Sequence, residues 1–321
     1  MIICLPVLLA ASSVIASVSL AAQGPGPQRA VLVTGASTGI GRKITERLAG
    51  SGYFVYAGAR KEQDLRDLSS IPNVQGIRLD VTAPAEIAAA VETVTKAGRG
   101  LYGLVNNAGV AVIAPLIEVD EEDLTYQLEV NVMGPYRVTK AFSPLIIAAK
   151  GRVLITGSLS GFLSGTVSGP YSMSKHAMEA YADALAAEMA RFDVKVSILE
   201  PGNYKSDIGK SIVARMKARG QTLAGSAYQK EIQGFLDRDA TANDPEPDEV
   251  AAAALRALGD ATPQLRYMVA PAQWQAAITV QSLFRRIAQI NQGQRFTFPR
   301  DSLVAMLDRS LARVDSATGR P

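Results

Sequence analysis

Ala30-Val31-Leu32-Val33-Thr34-Gly35-Ala36-Ser37-Thr38-Gly39-Ile40-Gly41 joins a short apolar run to a glycine-rich turn and then to a helical pattern that continues to Gly50. Strand, tight turn and helix in that order predict the opening of a βαβ unit. Glycine lets the backbone turn sharply and approach a pyrophosphate, while the free N–H groups and positive dipole end of the following helix receive its negative charge. Alone, Gly-x-x-x-Gly-x-Gly has a plainer alternative as a simple strand-to-helix turn. Its place after a buried strand gives it weight.

Downstream, β-branched runs at 53–57, 74–79, 101–106, 152–156, 194–199 and 266–270 alternate with helical patterns. With 30–34 they make seven strands, which predicts an α/β fold: a doubly wound (Rossmann) parallel sheet with helices on both faces and a ligand site beyond the carboxyl ends of the strands. The chain of 321 residues carries 33 Lys+Arg against 30 Asp+Glu, a net charge of +3 with neither sign in blocks. That balance argues against a nucleic-acid partner. Hydrophobic residues at 48% and charged ones at 20% describe a folded chain. Cys4 is the single cysteine and His176 the single histidine, so no intrachain disulfide and no multi-His metal site is expected.

Tyr171 and Lys175 stand at i and i+4, which places both side chains on one helix face. The face continues through Met178, Ala182, Leu185 and Met189, which suit packing against the sheet. A free phenol with a pKa of ~10 is a poor acid/base at neutral pH, but a neighbouring cation can lower it by ~1–3 units. Lys175 is placed to supply that cation. Ser158, at a strand end, is placed to hydrogen-bond the substrate oxygen that Tyr171 protonates.

The ordered set of glycine turn, Asn106-Asn107-Ala108-Gly109, Asn131-Val132-Met133-Gly134, Ser158, Tyr171-Ser172-Met173-Ser174-Lys175 and Pro201-Gly202 closely resembles the short-chain dehydrogenase/reductase family over residues 29 to 270. Ala57-Gly58-Ala59-Arg60 and the long tail look like its retinol and hydroxysteroid dehydrogenase branch. The resemblance implies a small-molecule carbonyl or alcohol substrate, bulky and apolar, and is compatible with a homo-oligomer. It implies catalytic roles for Asn131, Ser158, Tyr171 and Lys175, with Asn131 supporting a proton relay through water; the bland reading, that Asn131 satisfies backbone groups at a helix irregularity, is compatible with it. Cofactor contacts fall on Gly35, Ser37, Thr38, Gly39, Ile40, Gly41, Asp80, Val81, Asn107, Ala108, Gly109, Tyr171, Lys175, Pro201 and Gly202. Ser206 stands where the family usually has a Thr that contacts the carboxamide, so the hydroxyl is kept without the methyl. Asp80 has a plainer alternative as the residue that starts a helix.

Coenzyme choice depends on the end of the second strand, where a carboxylate would accept from a ribose 2′-hydroxyl. Here Ala59-Arg60-Lys61 offers none, and the planar fork of Arg60 can pair with a 2′-phosphate, which favours NADP(H). Other motifs weaken on inspection. Gly209-Lys210-Ser211 has Tyr204 where a P-loop needs its first Gly, and Gly157-Ser158-Leu159-Ser160-Gly161 has Leu at the centre of a nucleophile elbow. His176 is expected on the helix surface. A non-catalytic NADPH sensor or scaffold on the same fold is the rival from another class.

Residues 1–28 carry no formal side-chain charge. The stretch to about Ala22 would span ~33 Å as a helix at ~1.5 Å per residue, enough for a bilayer core. Pro6, Ser12, Ser13, Ser17 and Ser19 dilute it, Ser19-Leu20-Ala21 approximates a signal cleavage site, and no basic residue precedes it. Membrane attachment through residues 1–22, export after cleavage near Ala21, and a start-site artefact all stay open. NADPH is maintained in the cytoplasm, and Arg29, Arg42 and Lys43 follow the segment, so a cytoplasm-facing catalytic domain is expected. The expected division is 1–28 as segment and linker, 29–271 as dinucleotide-binding catalytic domain with a substrate loop at 203–243, and 272–321 as a helical extension.

Overall fold

The computed structural model describes residues 28–237 and 244–318, with side chains to residue 314; the expectations for residues 1–27 lie outside it. Strands β1 (Ala30–Val33), β2 (Phe54–Ala59), β3 (Val74–Arg78), β4 (Gly103–Asn106), β5 (Arg152–Thr156), β6 (Lys195–Pro201) and β7 (Arg266–Val269) form one parallel sheet in the order β3-β2-β1-β4-β5-β6-β7. The order reverses between β1 and β4, which opens a crevice at their carboxyl ends.

Both faces of the sheet are covered, and the strand sequences say why. Ala30 and Leu32 face one core with Tyr56, while Val31 and Val33 face the other with Val55 and Ala57. Alternate residues of a strand point to opposite faces, so a strand buried on both sides must be apolar throughout. The helices are α1 (Gly39–Gly50), α2 (Glu62–Ser69), α3 (Pro84–Lys96), α4 (Glu121–Leu128), α5 (Gly134–Ala148), α6 (Gly169–Met189), α7 (Ile208–Ala218), α8 (Gln229–Leu236), α9 (Asp248–Gly259), α10 (Gln273–Asn291) and α11 (Arg300–Thr318). Helices α3, α5 and α6 supply the first core and α1, α2 and α9 the second.

Helix α6 carries Tyr171 and Lys175, and its sheet-facing Met178, Ala182, Leu185 and Met189 are all buried, as their spacing predicts. A charged cluster fixes its other flank. Arg266 of β7 pairs with Glu179 at 3.1 Å and Asp183 at 2.7 Å on α6, and reaches Glu200 of β6 at 3.6 Å. Burial pushes the Glu200 carboxyl up to about 8 and raises that of Glu179, and the Oε1 atom of neither accepts a hydrogen bond.

Removing Arg266 should therefore leave buried carboxylates uncompensated. Arg266→Ala is expected to cost about 2 kcal/mol, below the ~3–5 typical of a fully buried pair because Arg266 is partly exposed. Carboxyls whose folded pKa lies above the unfolded value lose stability as pH rises, and Arg266 is the group that restrains this rise. The deficit measured by urea denaturation should thus grow from pH 6 to pH 9.

Candidate active site

The turn after β1 is packed backbone to backbone against the turn after β4. Gly35 has φ +63°, and a Cβ there would lie 2.7 Å from Ala108 Cα; a Cβ on Gly41 would lie 2.2 Å from the Gly35 carbonyl oxygen. Asn107 supplies the brace: its Nδ2 donates to the carbonyls of Thr34 and Gly35, both at 3.1 Å, and its Oδ1 accepts from Thr156 Oγ1 at 3.3 Å. Thr34 Oγ1 accepts from the N–H groups of Asn107 and Ala108. Gly109 follows at the surface.

Helix α1 starts beside this brace with no side-chain cap and no acidic residue in its first turn. Its N–H groups from Gly39, Ile40 and Gly41 lack intrahelical acceptors and so fit an anionic pyrophosphate, with Ser37 and Thr38 on the turn beside them. The loop after β6 closes the far side: a Cβ on Gly39 would lie 3.1 Å from Ser206 Cβ. Pro201 ends β6, and Gly202 is pressed against Gln275, whose Oε1 would sit 2.2 Å from an added Cβ. Arg60 stands exposed at the end of β2, next to the turn, with no salt bridge among the described residues. Asp80 is occupied as a turn residue, its Oδ1 accepting from Thr82 N at 2.8 Å and Thr82 Oγ1 at 2.7 Å. Val81 is buried and would collide with any Cβ on Gly134.

Asn131 lies in a π-helical segment, Glu129–Met133, between α4 and α5. Its side chain is fully engaged at its two ends: Oδ1 accepts from Val110 N at 2.9 Å, and Nδ2 donates to Val110 O at 3.0 Å and Ser174 Oγ at 3.1 Å. Ser174 Oγ in turn donates to the Tyr171 carbonyl at 2.7 Å. Asn131 thus holds the strand-end loop to α6, with Gln127 doing the same one turn earlier through Val112 N and Val110 O. A single polar Gln in a helix carries no sequence signal for that role.

Tyr171, Ser158 and Lys175 converge at the carboxyl ends of β4 and β5. Lys175 is buried, donates to the Thr156 carbonyl at 2.8 Å, and holds its Nζ 5.6 Å from the centre of the Tyr171 ring. Ser158 Oγ accepts from Ser160 N at 3.1 Å. The expected lowering of the phenol by Lys175 is absent. Burial holds the Tyr171 hydroxyl above its ordinary value against a hydrogen bond with Ser158, and burial pushes Lys175 down to about 8 against the pull of Glu179. In a dehydrated site each group resists charging, so proximity alone does not yield a phenolate.

The segment after β6 supplies a cover. Ile208, Ile212, Met216 and Leu223 form an apolar cluster with Ala111, Ile113, Val167 and Tyr171, whereas Val213 is exposed. A cavity of about 210 Å³ beside this cluster is lined by Ala111, Ile113, Ile212, Met216 and Leu223 and rimmed by Asp123 and Arg215; Tyr171 does not line it. Arg215 of α7 and Arg219 just beyond its end pair with the buried Asp123 of α4 at 2.6 and 3.2 Å, Gln221 also bonds it, and Arg215 stacks on Tyr126 at 3.8 Å. His176 is half-buried rather than at the helix surface: α10 lies over it, and Arg286 reaches its Nε2 at 2.8 Å.

A parallel sheet with a braced glycine turn and a Ser-Tyr-Lys group at its crevice defines a dinucleotide-dependent oxidoreductase of the Rossmann class. The short chain dehydrogenase model matches residues 29–217, and the chain belongs to that family. Rat mitochondrial D-beta-hydroxybutyrate dehydrogenase is 31% identical over 80% of this chain and 81% of its own length. Mouse retinol dehydrogenase 5 is 33% identical over 76% and 81%, placing the retinol dehydrogenase branch among the relatives. A crystal structure of actinorhodin polyketide ketoreductase with NADPH superposes with a TM-score of 0.64 at 26% identity, covering 76% of this chain and 96% of that one.

Glu179 is the charge that keeps Lys175 from falling further. Glu179→Gln should shift the Lys175 titration to a pH below that of the wild type, followed by NMR of the reductively methylated lysine. An unchanged midpoint would mean that the two groups are not coupled.

Proposed function

We propose that the protein is an NADP(H)-dependent oxidoreductase that interconverts a carbonyl and an alcohol on an apolar substrate. The convergence of Tyr171, Ser158 and Lys175 beside an uncapped helix start carries this reading. The bound nicotinamide supplies or accepts the hydride. In the reducing direction Ser158 hydrogen-bonds the carbonyl oxygen and Tyr171 transfers its proton to it, leaving a phenolate that the Lys175 ammonium stabilises. Lys175 also holds the nicotinamide ribose. Asn131 acts by position, since its amide is spent on Val110 and Ser174. The apolar cluster around Tyr171 supports an apolar substrate, with α7 and α8 as its cover.

Arg60 recognises the 2′-phosphate, because its guanidinium is exposed with no salt bridge among the described residues and Ala57-Gly58-Ala59-Arg60-Lys61 offers no carboxylate to receive a ribose hydroxyl. Such a reductase works where NADPH is maintained, so the catalytic domain faces the cytoplasm, attached or not through residues 1–22. N-terminal sequencing of the protein from fractionated cells tests this: a secreted product beginning near Ala22 would overturn it.

Tyr171→Phe should lower turnover at least ~100-fold while coenzyme affinity stays near wild type, since it deletes the acid and leaves the turn intact. Lys175→Ala should lose both. Turnover of carbonyl substrates by the wild type excludes the sensor alternative, and wild-type turnover by a folded Tyr171→Phe protein would overturn the mechanism. Arg60→Ala should raise the KM for NADPH about tenfold or more, the value of one charge-assisted contact, with little change for NADH. Equal effects on both coenzymes would show that Arg60 does not see the 2′-phosphate.

A further inference from the structure

Helix α10 is amphipathic in the reverse sense. The positions turned to the protein are Gln275, Thr279, Ser282 and Arg286, spaced 4, 3 and 4 along one face. Gln275 accepts from the Asn203 N–H at 2.9 Å, Ser282 donates to the Phe162 carbonyl at 3.1 Å, and Arg286 bonds His176. The positions turned to solvent are Val280, Leu283, Phe284, Ile287 and Ile290, from 36% to 73% exposed. A helix on the surface of a water-soluble domain shows the opposite arrangement.

The same character continues beyond α10. Phe296 is 67% exposed under the guanidinium of Arg295, and the loop is tied back by mutual hydrogen bonds of 2.9 Å between Asn291 and Phe298. On α11, Val304, Leu307 and Leu311 follow at 3 and 4 and are each at least 40% exposed. Exposed apolar surface repeated on both helices in this way marks an interaction site.

Charge selects the occupant. Residues 273–321 hold seven arginines, three aspartates and neither Lys nor Glu, a net +4, whereas the other 272 residues together carry −1. A second copy would set +4 against +4, which like-charge repulsion opposes. An anionic lipid surface complements that charge and receives apolar side chains ~5–10 Å deep. No helix among the described residues is long and apolar enough to cross a membrane, so α10 and α11 would lie on the surface.

We infer that α10, α11 and the loop between them form a docking face for an anionic bilayer, with the apolar stripe in the headgroup region and the exposed Arg285, Arg295 and Arg309 against lipid phosphates and carboxylates.

The full-length protein should be sedimented with phosphatidylcholine vesicles with and without phosphatidylserine, at several salt concentrations. It should bind the anionic vesicles preferentially, and less so as salt rises. The double variant Ile287→Glu/Leu311→Glu should lower the partition coefficient about tenfold or more. Arg295→Glu/Arg309→Glu should lose the preference for phosphatidylserine. Unchanged carbonyl turnover, or unchanged circular dichroism, shows that the variants fold. Wild-type partition by Ile287→Glu/Leu311→Glu would overturn the inference and move attachment elsewhere, residues 1–22 included. So would a shift from dimer to monomer in light scattering without a change in vesicle binding, which would assign the face to a second copy.

Discussion

The contact on which the site depends is the meeting of two turns: Gly35 against Ala108, with the Asn107 amide bonded to both Thr34 and Gly35. It joins β1 to β4 where the sheet order reverses, and through Thr156 it reaches β5. A side chain on Gly35 or Gly41 would enter backbone, so this junction tolerates no shift of α1. The uncapped start of α1 is held in place by neighbours rather than by its own cap, and its N–H groups stay open to an anion.

A second constraint is the cost of charge inside α6. Tyr171, Lys175, Glu179 and Asp183 succeed one another every four residues, so one helix face carries an acid, a cation and two carboxylates from the crevice outward. Desolvation raises Tyr171 and Glu179, and Glu200 on the neighbouring β6, and lowers Lys175. Arg266 is the cation that offsets the carboxylates. The protonation of Lys175 is therefore linked through Glu179 to an ion cluster further along the same helix face.

Local pattern made most of the framework legible. The helix at 39–50 coincides with α1, and six of the strands differ from their expected bounds only at the ends, because the ends depend on pairing with neighbours: β2 runs on to Ala59 since Gly58 and Ala59 pair with Ile77 and Arg78. What depended on distant neighbours was hidden. His176 is covered by a helix more than a hundred residues later, and Asp123 finds Arg215 and Arg219 more than ninety residues away. The direction in which Tyr171 shifts does not follow from spacing, which reveals the nearby cation but not the burial that both groups share. Of the two readings of Asn131, the helix irregularity is the one that its hydrogen bonds display.

The Ser-Tyr-Lys group and the apolar cover over it sit on different parts of the chain. The turn, Ser158 and α6 are held by the sheet, whereas α7 and α8 rest on the site through the cluster of Ile212, Ile232 and Tyr171 and are tethered to α4 by Asp123. Asp123 is nearly inaccessible, so the arginines that reach it give α7 one preferred seating, and the apolar residues then face the crevice together. Movement of α7 away from the site would strip a buried carboxylate of its partners, which is costly in the absence of compensating water. The size of the space left beneath α7 is then set by how Arg215 and Arg219 seat the helix on α4, not by the sheet that delivers the reacting groups.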